Sequence, residues 1–480
     1  MSYNTAPTLA HAHQHFINGQ WVDSLGTQRF TVINPATEQP LGEITLGNAA
    51  DAEAAIRAAH AAFPAFAATT REERLALLTR IIAIYQRRFE EIVVSITAEM
   101  GAPINFSRSA QTQVGLTHLE VARDILQGYA FEHPFSNGMV RREPVGVCGL
   151  ITPWNWPMNQ IALKVAPALA TGCTMVLKPS EFSPFTAILF AEILAEAGVP
   201  AGVFNLVQGD GPTVGSLLSS HPLVDMISLT GSTRAGIAVA QQAAPTIKRV
   251  TLELGGKSAN ILLDDVDWES VVPAAVAQCY VNCGQGCSAA TRLLVPATQL
   301  EHVNALAKHA AENYVQGDPT DPATQLGPVV SNVQWERIQT LIKTGVVEGA
   351  TVLTGGAGRP AHLPTGYYVQ PTIFTNVNNS MTVAQEEIFG PVLVIIPYTT
   401  EAEAIAIAND TRYGLSGYVS SANRERALAV ARQLRTGTVN INTARADATM
   451  PFGGYKHSGN GREKGLFGFE EYLEVKAIAG

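Results

Sequence analysis

The sequence predicts an α/β protein built on a doubly wound parallel sheet. Between residues 145 and 253, five short apolar runs alternate with helical stretches. Uninterrupted apolar runs of this kind are typical of parallel strands that are buried on both faces. A second round of strands and helices begins after Gly256, and a chain of 480 residues is long enough for two such α/β units.

Two strands, three helices and a hairpin are expected before residue 145. Alternating and β-branched residues predict the strands, Thr69 or Thr70 is a candidate N-cap, and Asn137-Gly138 is a strong turn signal. The predicted strands are Phe16–Trp21 and Arg29–Ile33, the helices are Ala50–Phe66, a helix from Thr70 and Thr112–Ala130, and the hairpin is Glu132–Pro144.

The two α/β rounds account for most of the remaining chain. The first has strands at Val145–Thr152, Thr174–Lys178, Val203–Val207, Met226–Thr230 and Arg249–Glu253, with helices at Phe185–Ala197 and Thr233–Ala243. The second has strands at Ala259–Leu263, Arg292–Val295 and Gly417–Ser420, with helices at Trp268–Val281, Glu301–Tyr314 and Glu401–Asn409. Tyr472–Ile478 alternates like an exposed strand without an evident local partner, which suggests a sheet completed on another subunit.

The composition argues against several classes of function. A net charge of -9 without any basic run argues against nucleic-acid binding. No apolar run reaches the roughly 18 residues that span a bilayer, so no membrane association is expected. The N-terminus does not resemble a secretion signal, and a cytoplasmic protein is therefore predicted.

Five cysteines in a chain without a secretion signal favour free thiols over disulfides. Cys279, Cys283 and Cys287 recur at every fourth position, which on one helix face would suggest a metal site. No fourth Cys or His lies nearby, and Gly284–Gly286 should end the helix, so no metal site is predicted. Cys287 is the candidate nucleophile, since glycines on its N-terminal side give a substrate room to approach.

A dinucleotide site is not evident from the usual glycine fingerprint. Residues 209–215 contain three glycines, but their final spacing is wrong for that motif. Two strand ends are more informative, because Lys178–Glu181 brings a cation and a carboxylate, and Thr230–Thr233 brings small donors to a helix start. Helix capping alone would also explain either pattern.

Seven motifs together resemble the aldehyde dehydrogenase superfamily, in its order and over nearly the whole chain. They are Thr152–Pro157, Lys178–Glu181, Leu229–Thr233, Leu252–Lys257, Gly284–Cys287, Glu386–Pro391 and Pro451–Lys456. The resemblance implies a Rossmann-like cofactor domain (1–123 and 145–255), an α/β catalytic domain (256–457), and a small β oligomerisation element (124–144 and 458–480). It also implies a homodimer or homotetramer.

The resemblance also implies binding of a nicotinamide dinucleotide outside the glycine fingerprint. Glu181 on the adenosine ribose would repel a 2′-phosphate, so NAD is predicted, with NADP as the alternative because Lys178 weakens the repulsion. The residues assigned to the cofactor are Thr152, Trp154, Lys178, Ser180, Glu181, Gly211, Thr230, Gly231, Ser232, Leu254, Glu387 and Phe389.

The chemistry that the resemblance implies is oxidation of an aldehyde to its acid. Cys287 would attack the aldehyde, Asn155 would hold the oxyanion, and Glu253 would activate the water that hydrolyses the thioester. Relatives that transfer the acyl group to coenzyme A do not need that base, so Glu253 favours release of the free acid. A non-catalytic relative is the rival interpretation, disfavoured because these side chains and Glu387 are all present.

The resemblance assigns a mixed apolar and polar tunnel to the substrate. Its residues would be Trp156, Gln160, Leu163, Val281 and Phe452, which suit a medium-sized or aromatic aldehyde. Arg445 would favour a carboxylate-bearing semialdehyde if it contacted the substrate, whereas a loop arginine is more often solvated or paired with an acid such as Asp447.

Overall fold

The computed structural model describes residues 10–442, 444 and 446–480. In this part of the chain the strands are β1 (Gln14–Ile17), β2 (Gln20–Asp23), β3 (Arg29–Asn34), β4 (Gln39–Thr45), β5 (Glu132–Phe135), β6 (Gly138–Pro144), β7 (Val147–Ile151), β8 (Thr174–Lys178), β9 (Phe204–Leu206), β10 (Met226–Thr230), β11 (Arg249–Glu253), β12 (Ala259–Leu262), β13 (Arg292–Pro296), β14 (Thr351–Thr354), β15 (Thr372–Thr375), β16 (Val392–Tyr398), β17 (Ser416–Ser420), β18 (Thr438–Ile441), β19 (Gly459–Asn460) and β20 (Leu473–Ala479).

The helices complete the α/β pattern. They are α1 (Ala49–Ala67), α2 (Arg71–Arg87), α3 (Phe89–Met100), α4 (Ile104–Phe106), α5 (Gln113–Gly128), α6 (Pro157–Thr171), α7 (Pro184–Glu196), α8 (Ser216–Ser220), α9 (Thr233–Ala243), α10 (Trp268–Tyr280), α11 (Leu300–Glu312), α12 (Asn332–Val347), α13 (Thr382–Gln385), α14 (Glu401–Asn409), α15 (Arg424–Ala431) and α16 (Gly465–Glu470). None of the described helices is both long and apolar enough to cross a membrane.

The first large sheet has eight strands in the order β19-β11-β10-β7-β8-β9-β1-β2. Its five central strands, β11 to β9 in that order, are parallel, and β7 and β8 are buried along their whole length. The carboxyl ends of β7, β8, β10 and β11 therefore meet at one edge of the sheet, where ligands bind in open α/β folds. The predicted doubly wound fold is confirmed.

The second large sheet has seven strands in the order β14-β15-β16-β13-β12-β17-β18. All neighbours are parallel except β14 and β15. Its strands lie between residues 259 and 441, beyond the central strands of the first sheet. The exact domain boundaries stay a prediction.

The strand pairing adds two contacts near the C-terminus that the sequence did not reveal. The terminal strand β20 has a partner in its own chain, because it pairs antiparallel with β6 along its whole length and extends the hairpin to three strands. Gly459–Asn460, which the sequence analysis assigns to the oligomerisation element, forms β19 and pairs with β11 of the first sheet. Both pairings join segments that are distant in sequence.

The segment Phe16–Trp21 is a hairpin turn with its flanking strands, and the prediction of a single strand is wrong. Asn18 and Gly19 both have positive φ, 51° and 76°, as a tight hairpin turn requires. Further along, Thr70 caps α2 through a reciprocal interaction with Glu73, which confirms one of the two predicted N-cap positions.

Candidate active site

A left-handed turn separates Cys287 from the preceding helix. Helix α10 ends at Tyr280, and Asn282, Cys283 and Gly284 then adopt φ values of 54°, 56° and 71°. A Cβ on Gly284 would lie 2.0 Å from the carbonyl oxygen of Gly390, so only glycine fits this position. The three cysteines therefore do not share one helix face.

Cys279 and Cys283 belong to the core. The Cys279 thiol donates to the Val392 carbonyl at 3.5 Å, and the Cys283 thiol donates to the Gly327 carbonyl at 3.3 Å. Burial raises the pKa of each thiol to about 12, so both stay protonated at neutral pH. Among the described residues, no group of three His, Cys, Asp or Glu side chains is placed to hold a metal ion.

Cys287 and Glu253 line one cavity of about 310 Å³. The five described residues that were assigned to the aldehyde tunnel also line it: Trp156, Gln160, Leu163, Val281 and Phe452. Arg445 lies outside the described residues. The sequence-predicted nucleophile, base and tunnel residues thus face the same space.

Glu253 is a buried carboxylate at the end of β11, and neither of its oxygens has a hydrogen-bond partner. Burial raises its pKa well above the usual value, and the nearby Glu463 raises it further, against the opposing charge of Lys164. A buried carboxyl without a structural hydrogen bond has no evident packing role. Its position suits a group that accepts a proton from something in the cavity.

The Cys287 thiol is neutral in this environment. Burial raises its pKa to about 12, and the charges of Glu253 and Glu387 act in the same direction. The backbone of Cys287 packs closely against Gly256, where a Cβ would lie 2.3 Å from the Cys287 carbonyl oxygen. Gly256 therefore brings the segment after Glu253 against the cysteine loop.

Asn155 is buried next to the cysteine loop and is not one of the described residues that line the cavity. Its side-chain amide donates to the Gln285 carbonyl at 3.0 Å. The backbone carbonyl of Asn155 accepts hydrogen bonds from the side-chain amides of Gln111 at 3.1 Å and Asn282 at 2.8 Å. This network fixes Asn155 relative to residues 285–287.

The adjacent strand ends of the first sheet carry partly unsatisfied polar groups. The hydroxyls of Thr152, after β7, and Thr230, at the end of β10, are buried without hydrogen-bond partners. Lys178, at the end of β8, lies 3.5 Å from the carboxylate of Glu181. Ser232 caps α9, whose first N–H groups open just after Gly231. These groups fit a ligand with phosphates and hydroxyls.

Glu387 and Phe389 contact segments next to the cysteine loop and to the strand edge. Glu387 accepts a hydrogen bond from the Gly256 amide at 2.9 Å, and burial raises its pKa to about 7. The ring of Phe389 meets the ring of Trp154 edge-on at a centroid distance of 5.4 Å. The structure thus joins these residues, which come from motifs far apart in sequence.

Two residues assigned to the cofactor, Ser180 and Leu254, have other local contacts, and a third, Gly211, is exposed. Ser180 accepts a hydrogen bond from the Phe182 amide within its own turn. The Leu254 side chain is buried against Gly236 of α9, so it packs in the core. Gly211 is exposed at the start of the turn before α8, with open space where a Cβ would project.

Comparison with known proteins agrees with this geometry. The model of the aldehyde dehydrogenase family matches residues 21–478. The chain belongs to the aldehyde dehydrogenase family. It is 55% identical over 468 residues to a 3-succinoylsemialdehyde-pyridine dehydrogenase of a Pseudomonas species, covering 97% of this chain and 98% of the relative.

Solved aldehyde dehydrogenases have the same fold. A mutant of aldehyde dehydrogenase C from Pseudomonas syringae, crystallised with NAD+ and octanal, is 49% identical with a TM-score of 0.98, covering 98% of each chain. Betaine aldehyde dehydrogenase from Staphylococcus aureus in complex with NAD+ is 37% identical with a TM-score of 0.94, covering 97% of this chain and 94% of that one.

Sequence reasoning missed three charged residues of this aldehyde dehydrogenase site. Lys164 lies in α6, which is apolar and buried along nearly all of its length, and its ammonium is 2.5 Å from the carboxylate of Glu463. Glu463 and Lys464 both line the cavity. The sequence did offer one signal for this pair. Lys164 is the only charged residue in an apolar helical segment, and a buried charge needs a partner of opposite charge.

Proposed function

We propose that this chain oxidises an aldehyde to the carboxylic acid with NAD+, through a thioester on Cys287. The observation that carries the proposal is that the Cys287 thiol and the unpaired Glu253 carboxylate line one cavity. Acyl transfer in two steps requires a nucleophile and a proton acceptor that face the same space. The acceptor must also be free of structural hydrogen bonds.

The first step is activation of the thiol. The raised pKa of Cys287 means that it must lose a proton as it attacks the aldehyde carbon. Glu253 has a raised pKa and free lone pairs, so it is the proposed acceptor of that proton. The thiolate then adds to the aldehyde carbon, and the aldehyde oxygen gains the negative charge.

Asn155 is proposed to stabilise that charge together with the Cys287 backbone N–H. One N–H of the Asn155 side-chain amide donates to the Gln285 carbonyl, and the second N–H is available to donate to an oxyanion. The Gln111 and Asn282 contacts hold the Asn155 backbone in place, so the donor is preorganised. Loss of one such donor typically costs about 100- to 1,000-fold in kcat.

The orphan hydroxyls of Thr152 and Thr230 and the paired charges of Lys178 and Glu181 support NAD+ as the cofactor. Glu387 and Phe389 would hold its nicotinamide half, and Lys178 and Glu181 its adenosine ribose, with Trp154 lining that side. When bound, NAD+ supplies the acceptor for the hydride that leaves the reacting carbon. The relatives crystallised with NAD+ support the same choice.

Hydrolysis of the thioester completes the cycle. Glu253 first releases to solvent the proton that it took from Cys287. It is then proposed to take a proton from water while the water oxygen attacks the thioester carbon and Cys287 leaves as the thiolate, which regains that proton from Glu253. The product is the free acid. Because Glu253 is present and unpaired, transfer of the acyl group to coenzyme A is the less favoured outcome.

The test is production of NADH with a panel of short aliphatic, long aliphatic, aromatic and carboxylate-bearing aldehydes. We expect activity in the wild type and none above background in Cys287→Ala. A folded wild type that makes no NADH with any member, and whose Cys287 resists iodoacetamide, would favour the non-catalytic alternative. A higher kcat/KM with NADP than with NAD would contradict the cofactor assignment.

The cavity walls favour medium-sized or aromatic aldehydes. Trp156, Leu163, Val281 and Phe452 supply apolar surface, and Gln160 contributes a buried side-chain oxygen without a partner. The alternative is a semialdehyde dehydrogenase selective for a carboxylate-bearing substrate. The relative that is 55% identical is a semialdehyde dehydrogenase, which supports that class of activity.

Self-association into a dimer or tetramer is proposed for the three-stranded sheet of β5, β6 and β20. Phe135 and Val475 on these strands are 65% and 59% exposed, which is unusual for large apolar side chains in one small sheet. Residues 124–144 and most of the C-terminal segment would then form the oligomerisation element. Light scattering after size-exclusion chromatography would show a monomer if this proposal fails.

A further inference from the structure

Lys464 places a positive charge at the wall of the aldehyde cavity. It lines the cavity with Cys287, Glu253 and Glu463. Its ammonium lies 4.8 Å from the centroid of the Phe452 ring, which faces the same space. Within the described residues the structure records no carboxylate within ion-pair distance of this ammonium and no hydrogen bond from it.

The backbone of Lys464 is strained. Its φ of 66° and ψ of 152° lie in a region that is occupied almost entirely by glycine. A lysine at such a position costs stability, because a glycine would adopt the same backbone without strain. The strain therefore points to a use for the side chain that a glycine would not serve.

The charges around the cavity leave the Lys464 ammonium unmatched. Glu463 is taken by the buried Lys164, which also donates to the Ser228 hydroxyl at 2.8 Å. Neither oxygen of Glu253, which faces the same cavity, has a hydrogen-bond partner, so Glu253 does not pair with Lys464 either. The Lys464 ammonium is largely desolvated and contacts only the face of an aromatic ring. Binding of an anion would therefore stabilise it.

We propose that Lys464 determines substrate specificity by binding a carboxylate at the far end of the aldehyde. The aliphatic part of such a substrate would lie along Leu163, Val281 and Phe452 while its aldehyde meets Cys287. This inference rests on the proposed function, and it assigns the anion-binding role to Lys464 rather than to Arg445. The substrates are then aldehydes that carry a carboxylate at the opposite end.

The kinetic test compares hexanal with adipate semialdehyde, which differ in the terminal group. A hydrogen-bonded ion pair in a desolvated site predicts that Lys464→Met loses about 10- to 100-fold in kcat/KM for adipate semialdehyde. The loss for hexanal, which has no carboxylate, should be clearly smaller, because it reflects only the effect of the Lys464 charge on the pKa values of Cys287 and Glu253. Lys464→Arg should retain most of the preference. Lys308→Met, which removes an exposed lysine on α11, is the matched control for net charge.

A binding test separates this inference from the proposed chemistry. Calorimetric titration of Cys287→Ala with adipate and with hexanoate measures recognition without turnover. We expect adipate to bind more tightly than hexanoate, and the difference to vanish when Lys464→Met is added. If adipate recognition depends on Lys464 while no aldehyde is oxidised, the reaction proposal fails and the anion site stands.

Three results would overturn the inference. An equal loss with both aldehydes in Lys464→Met, together with a shifted pH profile of Cys287 alkylation, would assign Lys464 to the thiol. Unchanged kinetics in Lys464→Met would show that the ammonium does not meet the substrate. Equal binding of adipate and hexanoate to Cys287→Ala would exclude a carboxylate site in this cavity.

Discussion

Replacing Lys164 by methionine tests the buried charge pair beneath the cavity. The Lys164 and Glu463 side chains are 1% and 9% exposed and lie 2.5 Å apart, so removal of the cation leaves a buried carboxylate without its partner. Breaking such a pair typically costs about 3–5 kcal/mol. With about 2.1 cal/mol/K of unfolding entropy per residue, 480 residues unfolding as one unit would lose about 3–5 °C in Tm.

The assay is thermal unfolding followed by circular dichroism, alongside two matched variants. Lys164→Met with Glu463→Gln removes both charges and should recover most of the lost Tm. Lys308→Met breaks an exposed pair, with side chains 49% and 50% exposed, and should change Tm by about 1 °C or less. A single variant as stable as the wild type would refute the reasoning, as would a double variant no better than the single one.

The same substitution has a predicted effect on catalysis. The charge of Lys164 lowers the pKa of Glu253, opposing the effect of burial. Without Lys164 the pKa of Glu253 should rise further, so the alkaline rise of the hydrolysis rate should move to higher pH. A pH profile of kcat that is unchanged in the variant would show that the two groups do not interact.

Three further predictions concern single positions. Gly256→Ala should abolish activity while the protein still folds, because its Cβ would meet the Cys287 carbonyl at 2.3 Å; near-normal NADH production would contradict this close contact. Glu99→Ala should lower the free energy of unfolding in urea by about 1–3 kcal/mol, because Glu99 accepts hydrogen bonds from the backbone amides of Phe185 and Thr186 at the start of α7. An unchanged urea midpoint would contradict this prediction. In the wild type, hydrolysis should accelerate as pH rises through the raised pKa of Glu253, because the deprotonated form is the base; a single-turnover rate that falls with pH would reverse the assignment.

Most of the fold was predictable because local signals and the family resemblance agreed. The strands Thr174–Lys178, Met226–Thr230 and Arg249–Glu253 begin and end where the apolar runs do, since parallel strands buried on both faces tolerate few polar residues. The pairing of β20 with β6 and of β19 with β11 could not be read from the sequence. Those contacts join segments hundreds of residues apart and leave no local pattern.

The site was predictable where a motif carries its own chemistry. Cys287 and Glu253 stand in recognisable glycine-rich segments, and both line the cavity. Lys164, Glu463 and Lys464 were missed because their importance depends on which charges meet inside the fold. The left-handed turn through Cys283 could not be predicted either. Cysteines at every fourth position indicate one helix face, but the helix ends before Cys283.

The most direct test of the central claim is mass spectrometry of Glu253→Gln mixed with NAD+ and an aldehyde that the wild type oxidises. Glu253 serves both steps, but the thiol can also lose its proton to bulk water, so hydrolysis should slow more than acylation in this variant. The acyl group should then accumulate on Cys287, and the intact mass should rise by that of the acyl group less one hydrogen. Peptide mapping should locate the addition at Cys287, and the Cys287→Ala double variant should show none. A Glu253→Gln protein that releases free acid at the wild-type rate, or carries its acyl group on another residue, would contradict the account.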